Sequence, residues 1–476
     1  LKSFGSIKVI YIIILTINIA SCKKLVEVSA PPTSINAANV FTSDATAISV
    51  VTSLYTKISD LNYDIRNGSP TSTSLLLSLT SDELTLFNLN DPSLAPYYTN
   101  NLTSLLANNF WTNFYPLIFT ANSTIEGLNN SNTLTTSVKQ QLLGEAKFMR
   151  AFCYFYLVNI YGDIPLVLTT DYQSASQLPR APKDQIYRQI ITDLTDAQSL
   201  LSVNYLGANL LTNTTQRIRP NKWAATALLA RVYLYNNDYS DAEIQSTSII
   251  NYSSLYNLVA LTDVFKMNST ETIWSLQPVR TGLQANTGEG ALFILPTTGP
   301  NSSDYPVYLS NTLVSAFENG DMRKTNWVDS VKPSTIPYYY SKKYKIGKVN
   351  TNTQEYIMVF RLSEQYLIRS EARAQQNNIN GAQSDLNVIR ARANLAPTSA
   401  SNKTSLLTAI LHERQVEFFT EWGHRWFDLK RTSNIDNVMS TIAPQKGGTW
   451  NPYKALFPIP QNEIITDPNL NQNIGY

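Results

Sequence analysis

One C-terminal stretch holds side chains whose types and spacing could do chemistry. Between Ile410 and Arg431 the chain places Glu413, Arg414, Glu417, Glu421, Arg425, Asp428 and Arg431. A pair of carboxylates is what a glycoside hydrolase needs, one as acid and one as nucleophile or base. Glu417 and Glu421 are the pair that would serve, and a carboxylate-only hydrolase is one reading of the residues. The charges also alternate in sign at helical spacing, with Glu421 four residues before Arg425, the favourable orientation for a pair on a helix. That pattern is the mark of a structural ion-pair net, and the reading adopted for these residues is structural. His412 and His424 stand about 120° apart around a helix and His-Glu-x-x-His spacing is absent, so no metal is expected. A Gly-x-Ser-x-Gly elbow, a phosphate-binding glycine loop and Cys-x-x-Cys are all missing from the sequence, so no cofactor and no enzyme is expected.

The element that must position these charges is amphipathic. Leu411, Phe418, Phe419, Trp422, Trp426 and Leu429 share one arc at 100° per residue, which predicts a core-facing helix with the charges on its other side. Gly423 is the point at which this helix can bend or break, so the pattern is firm up to Trp422.

The run Glu-Arg-x-x-Glu-Phe-Phe-x-Glu-x-Gly-His-Arg-Trp-Phe-Asp-Leu-Lys-Arg, starting at Glu413, resembles the C-terminal signature of the SusD/RagB family of surface nutrient-binding lipoproteins. Four further stretches carry the same resemblance. Trp111, Tyr115, Ile118 and Asn122 match the family's W-x-x-x-Y-x-x-I-x-x-x-N pattern. Glu145 to Val167, through Arg150, Tyr161, Gly162, Asp163 and Pro165, matches its most recognisable string, where the role is architectural. Asp321 and Arg323 match a structural pair, and Phe457-Pro-Ile-Pro with Gln472-Asn473-Ile-Gly-Tyr476 matches the family's end.

Bulk properties narrow the function. A formal net charge of +2 with 15% charged residues gives no electrostatic footprint for nucleic acid. The 27 tyrosines leave material for stacking surfaces beyond what a core consumes. Lys2 and Lys8 precede an apolar run from Val9 to Ala20, the length of a signal-peptide core, and Ile19-Ala20-Ser21-Cys22 reads as a lipobox that leaves Cys22 acylated. Cys153 lies in an apolar run and is expected to be a buried thiol.

The remainder predicts a mainly α fold. Ala45, Ile48, Val51, Leu54, Tyr55 and Ile58 make a first helical stripe. Gly162 and Pro165 stop a helix that is apolar nearly all round. Helix pairs begin at Arg219 and at Arg361, with small residues such as Ala227, Ala230 and Ala242 at the packing positions. The resemblance implies tetratricopeptide-like hairpins forming an α-superhelical scaffold, interrupted by a loop-rich insertion with short strands. The expected division is a signal peptide at 1–21, a lipidated tether at 22–39, an N-terminal helical region at 40–250, the insertion at 251–355 and a C-terminal helical region at 356–476.

From the resemblance follows an expected function. The protein captures oligosaccharides at the outer surface of the outer membrane, held there by its lipid anchor, and passes them to a SusC-like TonB-dependent transporter. Peptide capture, as in RagB-like members, and a scaffold that only completes the transporter are the alternatives. The family does not fix its ligand residues by motif. Candidates come instead from polar and aromatic side chains in irregular segments: Asp82, Phe87, Asn88, Tyr97, Tyr98, Tyr305, Tyr308 and Trp327.

Overall fold

A computed structural model describes residues 40–61, 72–107 and 109–476. The lipobox with Cys22 lies outside the described residues. Longer helices are numbered here in chain order. The first, α1 (Asp44–Leu61), α2 (Ser72–Thr80), α3 (Asn109–Asn130) and α4 (Thr136–Tyr161) are followed by α5 (Lys183–Leu200). From Phe148 to Tyr161 every residue of α4 is buried, so this apolar helix is the axis around which α1, α3 and α5 pack. Polar ties fix the packing angle: Arg150 on α4 holds both oxygens of Asp193 on α5 at 2.8 and 2.7 Å and Oδ1 of Asn122 on α3 at 2.9 Å. Gly162 ends α4 at φ 79°, a conformation that favours glycine, and its N–H donates to the Val158 carbonyl at 3.0 Å. Cys153 is a free, buried thiol whose pKa is raised by burial.

Two helical hairpins repeat one local design. In α6 (Lys222–Tyr235) with α7 (Tyr239–Ile250), and again in α8 (Leu362–Gln375) with α9 (Ile379–Arg392), an asparagine takes a left-handed conformation, Asn237 at φ 60° and Asn377 at φ 63°. The next residue, Asp238 or Asn378, then caps the second helix through its side chain. Arg231 on α6 grips Glu364 on α8 at 2.6 and 2.7 Å, joining the hairpins. A smaller core of Leu367, Leu386, Ile389, Leu406 and Ile410 fills the space between α8, α9 and α10 (Lys403–Phe418).

The insertion is clipped at its root by an antiparallel pair, β2 (Thr272–Leu276) with β6 (Ile357–Arg361). Two other ladders matter for the site: β1 (Leu84–Leu86) with β3 (Val307–Leu309), and the hairpin β4 (Val328–Val331) with β5 (Tyr338–Ser341).

Two expectations need correction. The first helix starts at Asp44 and buries Ala47 rather than Ala45, which is exposed. The amphipathic C-terminal helix is also two helices: α10 stops at Phe418 and α11 (His424–Arg431) restarts after a tight turn. The break comes before Gly423 because Thr420, Trp422 and Gly423 all have positive φ, at 53°, 48° and 73°. Tertiary contacts hold the turn, with the Trp422 N–H donating to Ser74 Oγ at 2.9 Å and its indole N–H to the Met358 carbonyl at 2.7 Å.

Candidate ligand-binding site

The charges that could have done chemistry are buried and mutually engaged. Glu417 accepts from Arg361 at 2.5 Å, from Arg323 at 3.0 Å and from Arg392. Glu421 takes Nε and Nη2 of Arg361, each at 2.9 Å, and Lys343. Asp321 and Glu413 share Arg323, and Glu271 joins Arg361 to Arg392. Burial alone would raise the Glu417 carboxyl, but the guanidinium groups of Arg392, Arg361 and Arg323 hold it well below the usual range. Burial lowers Lys343 to about 8 and, with the surrounding cations, pushes His424 well below its ordinary value. The ion-pair reading of the C-terminal stretch describes this network, and the Asp321–Arg323 pair is part of it.

Four of the eight candidate ligand residues are built into the structure rather than presented by it. Asp82 clamps Arg425 of α11 at 2.8 and 2.7 Å and is 3% exposed. Tyr97 is buried against Phe457, with its hydroxyl accepting from Asn109 at 3.2 Å. Tyr98 is buried beside the ladder, its hydroxyl near the side chains of Thr85 and Tyr308 and its ring centre 5.0 Å from the Lys446 ammonium. Trp327 is fully buried, donates to the Leu261 carbonyl at 2.8 Å and lies 5.1 Å from Lys343 beside the ion network. Irregular sequence context does not distinguish these from surface residues, because each is held by a partner remote in sequence.

The other four gather around the β1–β3 ladder. Its alternation sends Leu84, Leu86, Val307 and Leu309 into the core and leaves Thr85 and Tyr308, directly opposite each other, half-buried on the outer face. The chain then carries Phe87 beyond the ladder end, where its N–H donates to the Pro306 carbonyl at 2.8 Å and its ring is 43% exposed. Tyr338, the first residue of β5, brings the two together. Its ring meets Tyr308 edge-on at 5.0 Å and Phe87 edge-on at 6.4 Å. The three rings form an outward aromatic patch, and exposed Leu89 follows closely after Phe87 in the chain, as exposed Ile336 precedes Tyr338.

Polar groups border it. Asn88, next to Phe87, is half-buried and its side-chain oxygen accepts from the Asn90 N–H at 3.1 Å, fixing a tight turn. Tyr305 precedes β3 in a loop that Asn301 organises by accepting from the N–H groups of Ser303, Asp304 and Tyr305. One face of the Tyr305 ring lies under the Lys348 ammonium at 5.1 Å, which is paired with Asp304 at 2.5 Å. Tyr338 is the residue that sequence reasoning did not select. Its signal was the run Tyr338-Tyr339-Tyr340 in a strand, of which Tyr338 and Tyr339 stay half-buried and Tyr340 is buried.

Comparison with known proteins bears on most of the chain. A family model described as the SusD family matches residues 312–476, and one described as starch-binding associating with outer membrane matches residues 37–234. The SusD-like protein P25 of Formosa agariphila is 25% identical over 418 residues, covering 76% of this chain and 77% of that protein. A crystal structure of a SusD superfamily protein from Bacteroides vulgatus superposes with a TM-score of 0.77 at 22% identity, covering 91% of this chain and 99% of that one. A laminarin-binding SusD-like protein superposes with a TM-score of 0.73 at 22% identity, over 90% of this chain and 99% of that one. With matched regions in both halves and a common fold along nine-tenths of its length, the chain belongs to the SusD-like family.

Proposed function

We propose that this protein is a non-catalytic, cell-surface glycan-binding lipoprotein that captures oligosaccharides on the Phe87–Tyr308–Tyr338 patch. The observation that carries the proposal is the meeting of three rings from three remote segments on an outward face. Sugar rings bind by laying C–H faces on aromatic surfaces while their hydroxyls find amides and carboxylates, and the Asn88 and Tyr305 loops supply such groups at the border. The laminarin-binding relative and the family described as starch-binding favour a glycan over a peptide. Anchoring through acylated Cys22 places the patch at the outer membrane, in keeping with the same family description. Delivery to a SusC-like TonB-dependent transporter follows from the family resemblance, and the tetratricopeptide-like hairpins offer the helical surface for that contact.

Calorimetric titration of the chain from Lys23 onward against a panel of oligosaccharides and peptides tests the reading. Saturable binding of one glycan class is expected, weakened roughly tenfold by Tyr338→Ala or Tyr308→Ala, the equivalent of about 1.4 kcal/mol. Binding of peptides alone moves the protein to peptide capture. Silence with both panels leaves the transporter scaffold as the better reading.

A further inference from the structure

A cleft of about 440 Å³ lies at the C-terminal end of α4, built from none of the patch residues. Arg180, Lys183, Lys430 and Arg431 line it with a single carboxylate, Asp163. Arg431 is already neutralised by Glu371 and Asp428. Asp163 is engaged as well, its Oδ1 accepting from the Lys183 backbone N–H at 2.7 Å.

Among the described residues the other three cations have no carboxylate at ion-pair distance, although Asp163 acts through space on Arg180, and Asp184 and Asp163 on Lys183, while no carboxylate acts in this way on Lys430. Arg180 donates to the Asp163 carbonyl at 2.7 Å, the Asn471 carbonyl at 3.0 Å and the Asn473 side-chain oxygen at 2.5 Å. Lys430 donates to the Asn159 carbonyl in the last turn of α4. The Lys183 ammonium stands 5.4 Å from the Tyr187 ring centre. Asp163, Asp184 and the helix C-terminus, which offers about half a negative charge, offset most of the charge on Arg180 and Lys183 and leave Lys430 as the cation without a carboxylate. Burial and the neighbouring Lys183 lower Lys430 to about 7, so the uncompensated charge is costly as it stands.

We propose that this cleft binds an oxyanion, a carboxylate, sulfate or phosphate group held between the ammonium groups of Lys183 and Lys430 with the Arg180 guanidinium alongside. The group comes either from a free inorganic anion or from an acidic sugar. Both sources present the same oxygens to the same three cations.

The test is thermal unfolding and calorimetric titration with sodium sulfate, sodium glucuronate and glucose, against sodium chloride at matched ionic strength. A saturable rise in Tm with sulfate or glucuronate is expected. Preference for sulfate identifies the inorganic source, and preference for glucuronate the acidic sugar. Lys183 is exposed, so Lys183→Ala keeps the fold, and it should weaken binding by roughly tenfold or more. Lys430→Met, which keeps length without charge, should do the same, while Tyr338→Ala should leave the anion effect unchanged. The proposal is overturned by a Tm no higher than in chloride, by an anion effect that survives both lysine substitutions, or by glucose binding as well as glucuronate.

Discussion

Replacing Glu417 by Gln removes one negative charge from the centre of the buried network while preserving the side chain's shape. The carboxylate serves three guanidinium groups, with Oε1 taking Arg361 at 2.5 Å and Arg392, and Oε2 taking Arg323 at 3.0 Å. A glutamine turns its NH₂ toward one of those cations. Breaking a buried pair by removing one partner typically costs about 3–5 kcal/mol. Here each arginine keeps another carboxylate, Asp321 and Glu413 for Arg323, Glu271 and Glu421 for Arg361, and Glu271 for Arg392. The expected loss therefore sits near the lower end, about 3 kcal/mol. Glu318→Gln, at the half-exposed rim where Glu318 pairs with Arg390 at 2.6 Å, should cost below about 1 kcal/mol. Urea unfolding of both variants compares the midpoints at unchanged slope. The Glu417 carboxyl is held below its unfolded value, so in that window the unfolded chain binds more protons and stability rises with pH. Its contribution is complete above the unfolded carboxylate pKa of about 4.3 and lost as pH falls through the lower folded value, so acidification should narrow the gap between wild type and variant. A Glu417→Gln protein within about 1 kcal/mol of wild type at pH 7 refutes the structural role. A folded variant that has lost turnover on an oligosaccharide restores the hydrolase reading.

Three further outcomes are expected. At Gly423, where φ is 73°, a Cβ would fall 2.3 Å from Leu77 Cδ1, so Gly423→Ala should cost about 2–4 kcal/mol, with a double-mutant cycle to Leu77→Ala showing coupling of at least about 1 kcal/mol. Burial raises Glu83 to about 7, so between about pH 4.5 and 7 the folded state binds more protons than the unfolded one. Wild-type Tm should accordingly fall relative to Glu83→Gln across that range, and a constant difference at pH 4.5, 6 and 7.5 contradicts it. Trp327→Phe removes the donor to the Leu261 carbonyl and should destabilise by about 1–3 kcal/mol with glycan affinity unchanged; a loss of affinity in a folded variant would return Trp327 to the ligand surface.

Helices were legible from the sequence because their signals are local. The 3.6-residue period and the stop at Gly162 act within a few residues and the structure uses both; the caps at Asn221, Asp238 and Asn378, which the structure adds, are equally local. The turn at Phe419–Gly423 was not legible. Thr420 and Trp422 take positive φ without being glycine, held by partners on a segment far away in the chain, with the Thr420 N–H on Glu83 and the Trp422 N–H on Ser74. Asp82 and Phe87 show the same limit within one short stretch. Both are polar or aromatic residues near a strand, yet Asp82 is claimed by Arg425 and Phe87 is left exposed. Nothing near Asp82 in sequence announces that claim.

The aromatic patch joins segments that no local pattern connects, and this bears on how its ligand is chosen. Ladder pairing from Leu84↔Leu309 to Leu86↔Val307 is fixed by core residues on its inner face, and the Ser310 hydroxyl donating to the Asp82 carbonyl at 2.5 Å locks its edge. A one-residue slip would turn Tyr308 inward and Leu309 outward, so the register is enforced by the core rather than by the rings. The outer face then carries only Thr85 and Tyr308 from the ladder itself. Phe87 and Tyr338 join them from the ends of β1 and β5, and the loops Asn88 to Asp91 and Lys332 to Pro337 continue from those two residues. Changes in those loops alter the ligand surface without disturbing the register. On the proposed reading the helical scaffold and the ion network can therefore stay constant while the ligand surface changes, which is why motifs along this chain identify its family and not its ligand.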